Sequence, residues 1–127
     1  MSVTIRDRLV DTLREIVGAG VAVIPYADNL DVLERPTILV KQQTIQRLAQ
    51  APAARLRIDF VLTFISPASD PAAAETELDQ WVPQTLADLE PETWLSWETA
   101  DKALYSPLNL AYDVTVSALT KPINTEE

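Results

Sequence analysis

Glu75 and Asp79 stand four residues apart in a stretch with helical character, which sets two carboxylates side by side on one helix face. Such pairs can share acid–base work when their surroundings push the two pKa values apart. Here the pair falls on the wet face of its helix with no histidine anywhere in the chain, so it is expected to be solvated charge. Ser66, Ser96 and Ser106 likewise have no imidazole to take a proton from them. Asp28, Asn29 and Asp31 loosely follow a calcium-loop spacing, but the turn glycine and the distal bidentate glutamate are missing. The chain also lacks cysteine, which removes thiolate, disulfide and zinc–thiolate chemistry together. No glycine-rich phosphate loop and no metal-spaced cluster occurs. No catalytic residue, cofactor site or metal site is assigned, and the chain is not expected to be an enzyme.

What remains is recognition chemistry. Trp94 and Trp97, with Tyr105 further on, are either core aromatics or interface anchors, the residue types that dominate binding hot spots. Charge is unevenly spread. The net is −9 for the chain, −2 over residues 1–35, +3 over 36–66 and −10 over 67–127. The basic middle consists of Lys41, Arg47, Arg55 and Arg57 against Asp59 alone. So acidic a chain repels nucleic acid overall, and its cations are not interleaved with aromatics as a single-strand groove requires. A basic middle beside an acidic second half suits head-to-tail contact between copies instead.

The elements that position these residues follow from periodicity. At 127 residues the chain is expected to form one domain over 1–119, with a polar tail at 120–127. Residues 4–17 carry an apolar stripe of Ile5, Leu9, Leu13, Ile16 and Val17 at helical spacing. Ser2 or Thr4 is the expected N-cap, and Gly18 and Gly20, the only glycines, end the helix. Val21–Pro25 reads as a short strand and residues 26–35 as a loop. Pro36 holds Arg35 extended ahead of a strand over Thr37–Ile45. That strand starts apolar and fades into Lys41, Gln42 and Gln43, as a strand does when it leaves the body of a domain. Gln46–Ala54 then forms an arm, longer than a tight hairpin needs, whose tip carries Arg47, Leu48 and Gln50.

Arg55–Ser66, RLRIDFVLTFIS, is the longest alternating run and the expected central strand. Leu56, Ile58, Phe60, Leu62 and Phe64 would face the core. Asp70 caps a second helix with Pro71 in its first turn, and Pro83 is expected to kink or break it before Leu86 and Leu89. Residues 92–104 read as an edge strand or hairpin limb, and Leu108–Leu119 as a final strand. The order α-β-β-β-α-β-β implies an α+β fold: a mainly antiparallel sheet of four to five strands, with two helices on one face and a polar opposite face. The charged N-terminus lacks a signal-peptide h-region, and no run is long enough to span a membrane, so a soluble cytoplasmic protein is expected.

Over nearly its whole length this arrangement resembles the tail-terminator (tail-completion) proteins of long-tailed bacteriophages. The likeness runs through the helix ending at Gly18, the strand Val21–Pro25, the loop closing on Glu34-Arg35-Pro36-Thr37 and the strand Arg55–Ser66. It continues through the helix Asp70–Leu89, the segment Trp94–Trp97 and the strand Tyr112–Val116. The resemblance implies a virion protein assembled in the host cytoplasm. It would form a hexameric ring on the head-proximal end of the tail tube, stop tube growth and offer a surface for head joining. Its partners would be copies of itself, the major tail-tube protein and a head-completion or neck protein, with no nucleic-acid recognition, no membrane and no cofactor. Expected interface residues are Arg47, Leu48, Gln50, Arg55, Arg57, Trp94, Trp97 and Tyr105. A neck adaptor, a tube subunit, or a small-molecule-binding domain with an aromatic pocket around Trp94 and Trp97 are the alternatives.

Overall fold

The computed structural model describes residues 4–26, 35–47, 56–106 and 109–119. Its elements are α1 (Ile5–Val17), β1 (Ala22–Ile24), β2 (Thr37–Arg47), β3 (Leu56–Ile65), α2 (Pro71–Leu89), β4 (Leu95–Ser106) and β5 (Asn109–Leu119). The five strands form one mixed sheet in the order β1-β2-β3-β5-β4. Only β1 and β2 run parallel; the remaining pairs are antiparallel. The order α-β-β-β-α-β-β and the α+β class are as expected, with β3 at the centre of the sheet.

Thr4 caps α1 through a reciprocal pair of bonds with Asp7: its Oγ1 accepts from the Asp7 amide, and its own amide donates to Asp7 Oδ2. Gly18, at φ 74°, ends the helix in a conformation that a Cβ would strain, and its amide donates to the Arg14 carbonyl. Gly20 adopts no positive φ, so only the first of the two glycines serves as a left-handed stop. Asp70 caps α2 and accepts from the Ala73 amide. Contrary to expectation, Pro83 does not divide α2, which is continuous from Pro71 to Leu89. The ring costs one backbone bond, but Leu78 and Val82 before it and Leu86 and Leu89 after it are all buried on one face, and that packing keeps the helix unbroken through the proline.

Leu9, Val10 and Leu13 of α1 and the buried face of α2 enclose the core with Ile38, Val40, Phe60, Leu62, Phe64, Val114 and Val116 of the sheet. The alternation in β3 works as the pattern implies, since Phe60, Leu62 and Phe64 are fully buried beneath the helices. Phe64 meets Trp81 edge-on, with ring centroids 5.1 Å apart. The opposite face is less polar than expected. At one end Leu39, Ile65 and Ala111 form a second buried cluster with Ile24 and Tyr105 against it. Cross-strand register explains this: Ile65 pairs with both Thr37 and Ala111, so apolar side chains of three neighbouring strands converge there.

Candidate functional site

β2 carries the first candidate surface. Thr37 through Val40 are buried, whereas Gln42 through Gln46 are exposed, so the β2–β3 ladder runs out from under the helices. The ladder continues to the pair Arg47–Leu56, two residues beyond the expected end of the strand, with an irregularity between Gln42 and Thr44. β1 pairs only with Thr37–Leu39. Beyond that point β2 has no second strand neighbour among the described residues. Ile45, paired with Ile58 on the helix side of the sheet, is 56% exposed.

A polar network roots this ladder on the other face of the sheet. Asp59, 8% exposed, accepts from Ser117 Oγ at 2.7 Å, from Arg57 Nε at 3.0 Å and from Gln46 Nε2 at 3.4 Å. Burial pushes the Asp59 carboxyl up, but the Ser117 hydroxyl and the Arg57 guanidinium outweigh it and hold the group below its ordinary value. Arg57 also lies 3.8 Å from Glu98 of β4. Further along the same face Thr63 Oγ1 donates to Asp113 at 2.7 Å.

The second surface lies across the sheet. α2 leans on β5 and β3 rather than on β4, and this leaves a groove of about 490 Å³ between α2 and β4. Leu78, Val82 and Leu86 form its helix wall, with Trp97, Ala100 and Tyr112 on the sheet side. Asp79 and Glu90 lie on its rim, and neither forms an ion pair among the described residues. Trp97 is 38% exposed, and Leu104, further along β4 on the same sheet face, is 65% exposed. Lys102 is bonded to Glu75 of α2, and that carboxylate raises the Lys102 pKa. Glu75 is therefore tied across the structure rather than merely solvated. Register irregularities at Glu98 and Tyr105 blunt the outer edge of β4 against strand addition.

The expected interface residues separate into distinct groups. Arg47 ends the β2 ladder, while Leu48, Gln50 and Arg55 lie outside the described residues, as do Asp28, Asn29 and Asp31. Arg57 is engaged by Asp59 within its own sheet. Trp94 stacks under the Arg8 guanidinium at 4.1 Å, donates to Glu92 at 3.1 Å and packs against the core, so it does not share a pocket with Trp97. Tyr105 packs on the small apolar cluster of the opposite face. Ser66 donates to Glu77 at 2.5 Å, but it is fully buried and no substrate could reach it. Trp97, an expected interface residue, does line the groove, but sequence reasoning identified neither the α2 wall of that groove nor Ile45 as a surface. The signal for Ile45 was an isolated apolar residue in the polar run KQQTIQR.

No protein-family model matches the chain, and no curated protein matches it.

Proposed function

We propose that this chain is a structural assembly protein of a phage virion, a tail terminator. In this role it forms a ring, hexameric by resemblance, that caps the head-proximal end of the tail tube, stops its polymerisation and presents the head-joining surface. Its partners are other copies of itself, the major tail-tube protein and a head-completion or neck protein, and its role is not catalytic. The observation that carries the reading is the course of β2, buried at Thr37–Val40 and exposed at Gln42–Gln46, which extends a rooted ladder away from the helices. A ring subunit needs two different patches, one for each neighbour, and the β2 ladder and the α2–β4 groove are two such patches on one small sheet.

The test is mass in solution, alone and with tail-tube protein. A terminator stops at one ring and binds the tube end, whereas a tube subunit polymerises into long tubes by itself. Removal of residues 47–53 should leave a folded chain that no longer joins a ring or a tube, and unchanged assembly would sink the role given to the ladder. A second reading, a small-molecule-binding domain, is favoured by the groove beside Trp97, whose volume falls in the usual ligand-pocket range. A ligand-induced rise in melting temperature without self-association would select it.

A further inference from the structure

We propose that the cleft between the end of α1 and the edge strand β1 is a carboxylate-binding site, in which Arg14 and Arg35 grip the carboxylate and β1 receives the apolar body that carries it. The cleft has a volume of about 570 Å³. Arg14, in the last turn of α1, donates from Nη2 to the Val23 carbonyl at 3.1 Å, and Arg35 donates from Nη1 to the Ala19 carbonyl at 2.8 Å. Two side chains distant in sequence are thus pinned to one short stretch of backbone, and both line the same cleft. A guanidinium carries five N–H donors, and a single one from each arginine is engaged among the described residues. The fixed position lowers the entropy lost when the remaining donors take up a ligand.

Neither cation has a carboxylate beside it. No Asp or Glu among the described residues comes within 4.0 Å of either, including Asp11 and Glu15, which stand near Arg14 on α1. Other arginines of the chain are engaged by side chains: Arg6 by Gln42, Arg8 by Trp94 and Arg57 by Asp59. With 19 acidic and 10 basic side chains, two arginines lining one cleft without an acid run against the composition. The α1 C-terminus beside them supplies only about −0.5 of a charge, which two guanidiniums exceed, so the cleft remains positive.

The net charge of −9 selects a monoanion, since at long range it repels a phosphate dianion about twice as strongly as a carboxylate. A carboxylate also meets a guanidinium fork with two parallel bonds. Alone it would leave most of the cleft empty. Val21, Ala22 and Ile24 are half-buried and line the remainder, so the fitting ligand joins its carboxylate to an apolar body. A small apolar acid and an Asp or Glu side chain of a second copy both present that chemistry.

Benzoate titrated into the full chain tests the site, with the arginine Nε–H signals followed in proton–nitrogen correlation spectra and benzamide as the uncharged control. The expected result is a saturable shift at Arg14 and Arg35 with benzoate, none with benzamide, and affinity lower by about tenfold or more in Arg14→Gln and in Arg35→Gln. Glutamine keeps an amide donor for the carbonyl; if either variant melts early, Arg14→Lys and Arg35→Lys replace them, retaining charge and donor while losing the fork, and should also bind benzoate more weakly. Sedimentation of the same variants identifies the source. Self-association that is lost with the arginines points to a carboxylate of a second copy, and benzoate binding without such a loss points to a small acid. Benzoate that neither binds nor competes with association, together with association that ignores both arginines, overturns the proposal. Equal binding of benzamide, or displacement of benzoate by an equal concentration of chloride, overturns it as well. That failure would leave the ring reading untouched, since the cleft shares no residue with the β2 ladder or the α2–β4 groove.

Discussion

Replacing Asp59 with alanine removes the acceptor at the centre of the network that roots the β2–β3 ladder. The largest loss is the bond from Ser117, a buried hydroxyl 2.7 Å from the carboxylate. A hydrogen bond to a charged group contributes about 1.5–3 kcal/mol, and Ser117 has no other charged acceptor in the network. Arg57 adds less, because its side chain is 35% exposed and can return to water or turn toward Glu98. Asp59→Ala should therefore destabilise by about 2 kcal/mol, a fall of roughly 6–12 °C in melting temperature for a domain of this size. Ser117→Ala alone should cost about 1 kcal/mol, and the double variant little more than Asp59→Ala, since the shared bond can be lost only once.

Urea titration at neutral pH measures all three variants. A cost below about 0.5 kcal/mol for Asp59→Ala, or strict additivity in the double variant, would refute the assignment of this network as the root. The pH dependence gives an independent check. The Asp59 pKa is lowered on folding from its ordinary 3.8, so the unfolded chain takes up the proton first. The contribution is complete above 3.8 and is lost as the pH falls through the lower folded value. Wild-type stability should fall more steeply below pH 3.8 than that of Asp59→Ala, whereas parallel acid limbs would contradict the direction of the shift.

The two glycines should behave differently. Gly18→Ala places a Cβ at φ 74° and should cost about 1–3 kcal/mol, whereas Gly20→Ala, with no positive φ and open space around it, should be neutral or stabilise by up to about 1 kcal/mol. Thermal melts of the two variants decide this, and equal effects would contradict the backbone assignment. Pro83→Ala restores a helix donor inside the unbroken α2 at an exposed position, and it should raise the melting temperature by an amount equivalent to at least about 1 kcal/mol. A lower melting temperature would mean that the ring's contacts along the groove outweigh the missing bond.

Much of the fold was legible because its cues are local. The Thr4 cap, the stop at Gly18, the Asp70–Pro71 start and the burial of Ile58, Phe60, Leu62 and Phe64 on one face of β3 each depend on residues a few positions apart, and each agrees with the local pattern. Pro83 does not break α2, for the opposite reason. A proline breaks an isolated helix, but the burial of Leu78, Val82, Leu86 and Leu89 against a sheet is invisible to any rule about the residue's own backbone. The face of β3 opposite the helices was read as polar from Arg57, Asp59 and Thr63. Pairing with Ala111 on β5, and packing against Leu39, two positions along β2 from its partner Thr37, is what buries Ile65.

The candidate site divides along the same line. Amino-acid sequence alone determined that the chain holds no histidine or cysteine for chemistry, that its net positive charge lies in the middle and most of its carboxylates in the second half, and that one strand leaves the body of the domain. Those are properties of composition and of short-range pattern. Tertiary structure decided that Trp94 is held by Arg8 while Trp97 opens onto a groove, although the two are separated by only two residues. It also decided that the ladder and the groove stand at opposite sides of one sheet. Strand order is set by pairings between residues tens of positions apart, such as Phe60 with Val116, and no local period encodes which strand will lie beside which.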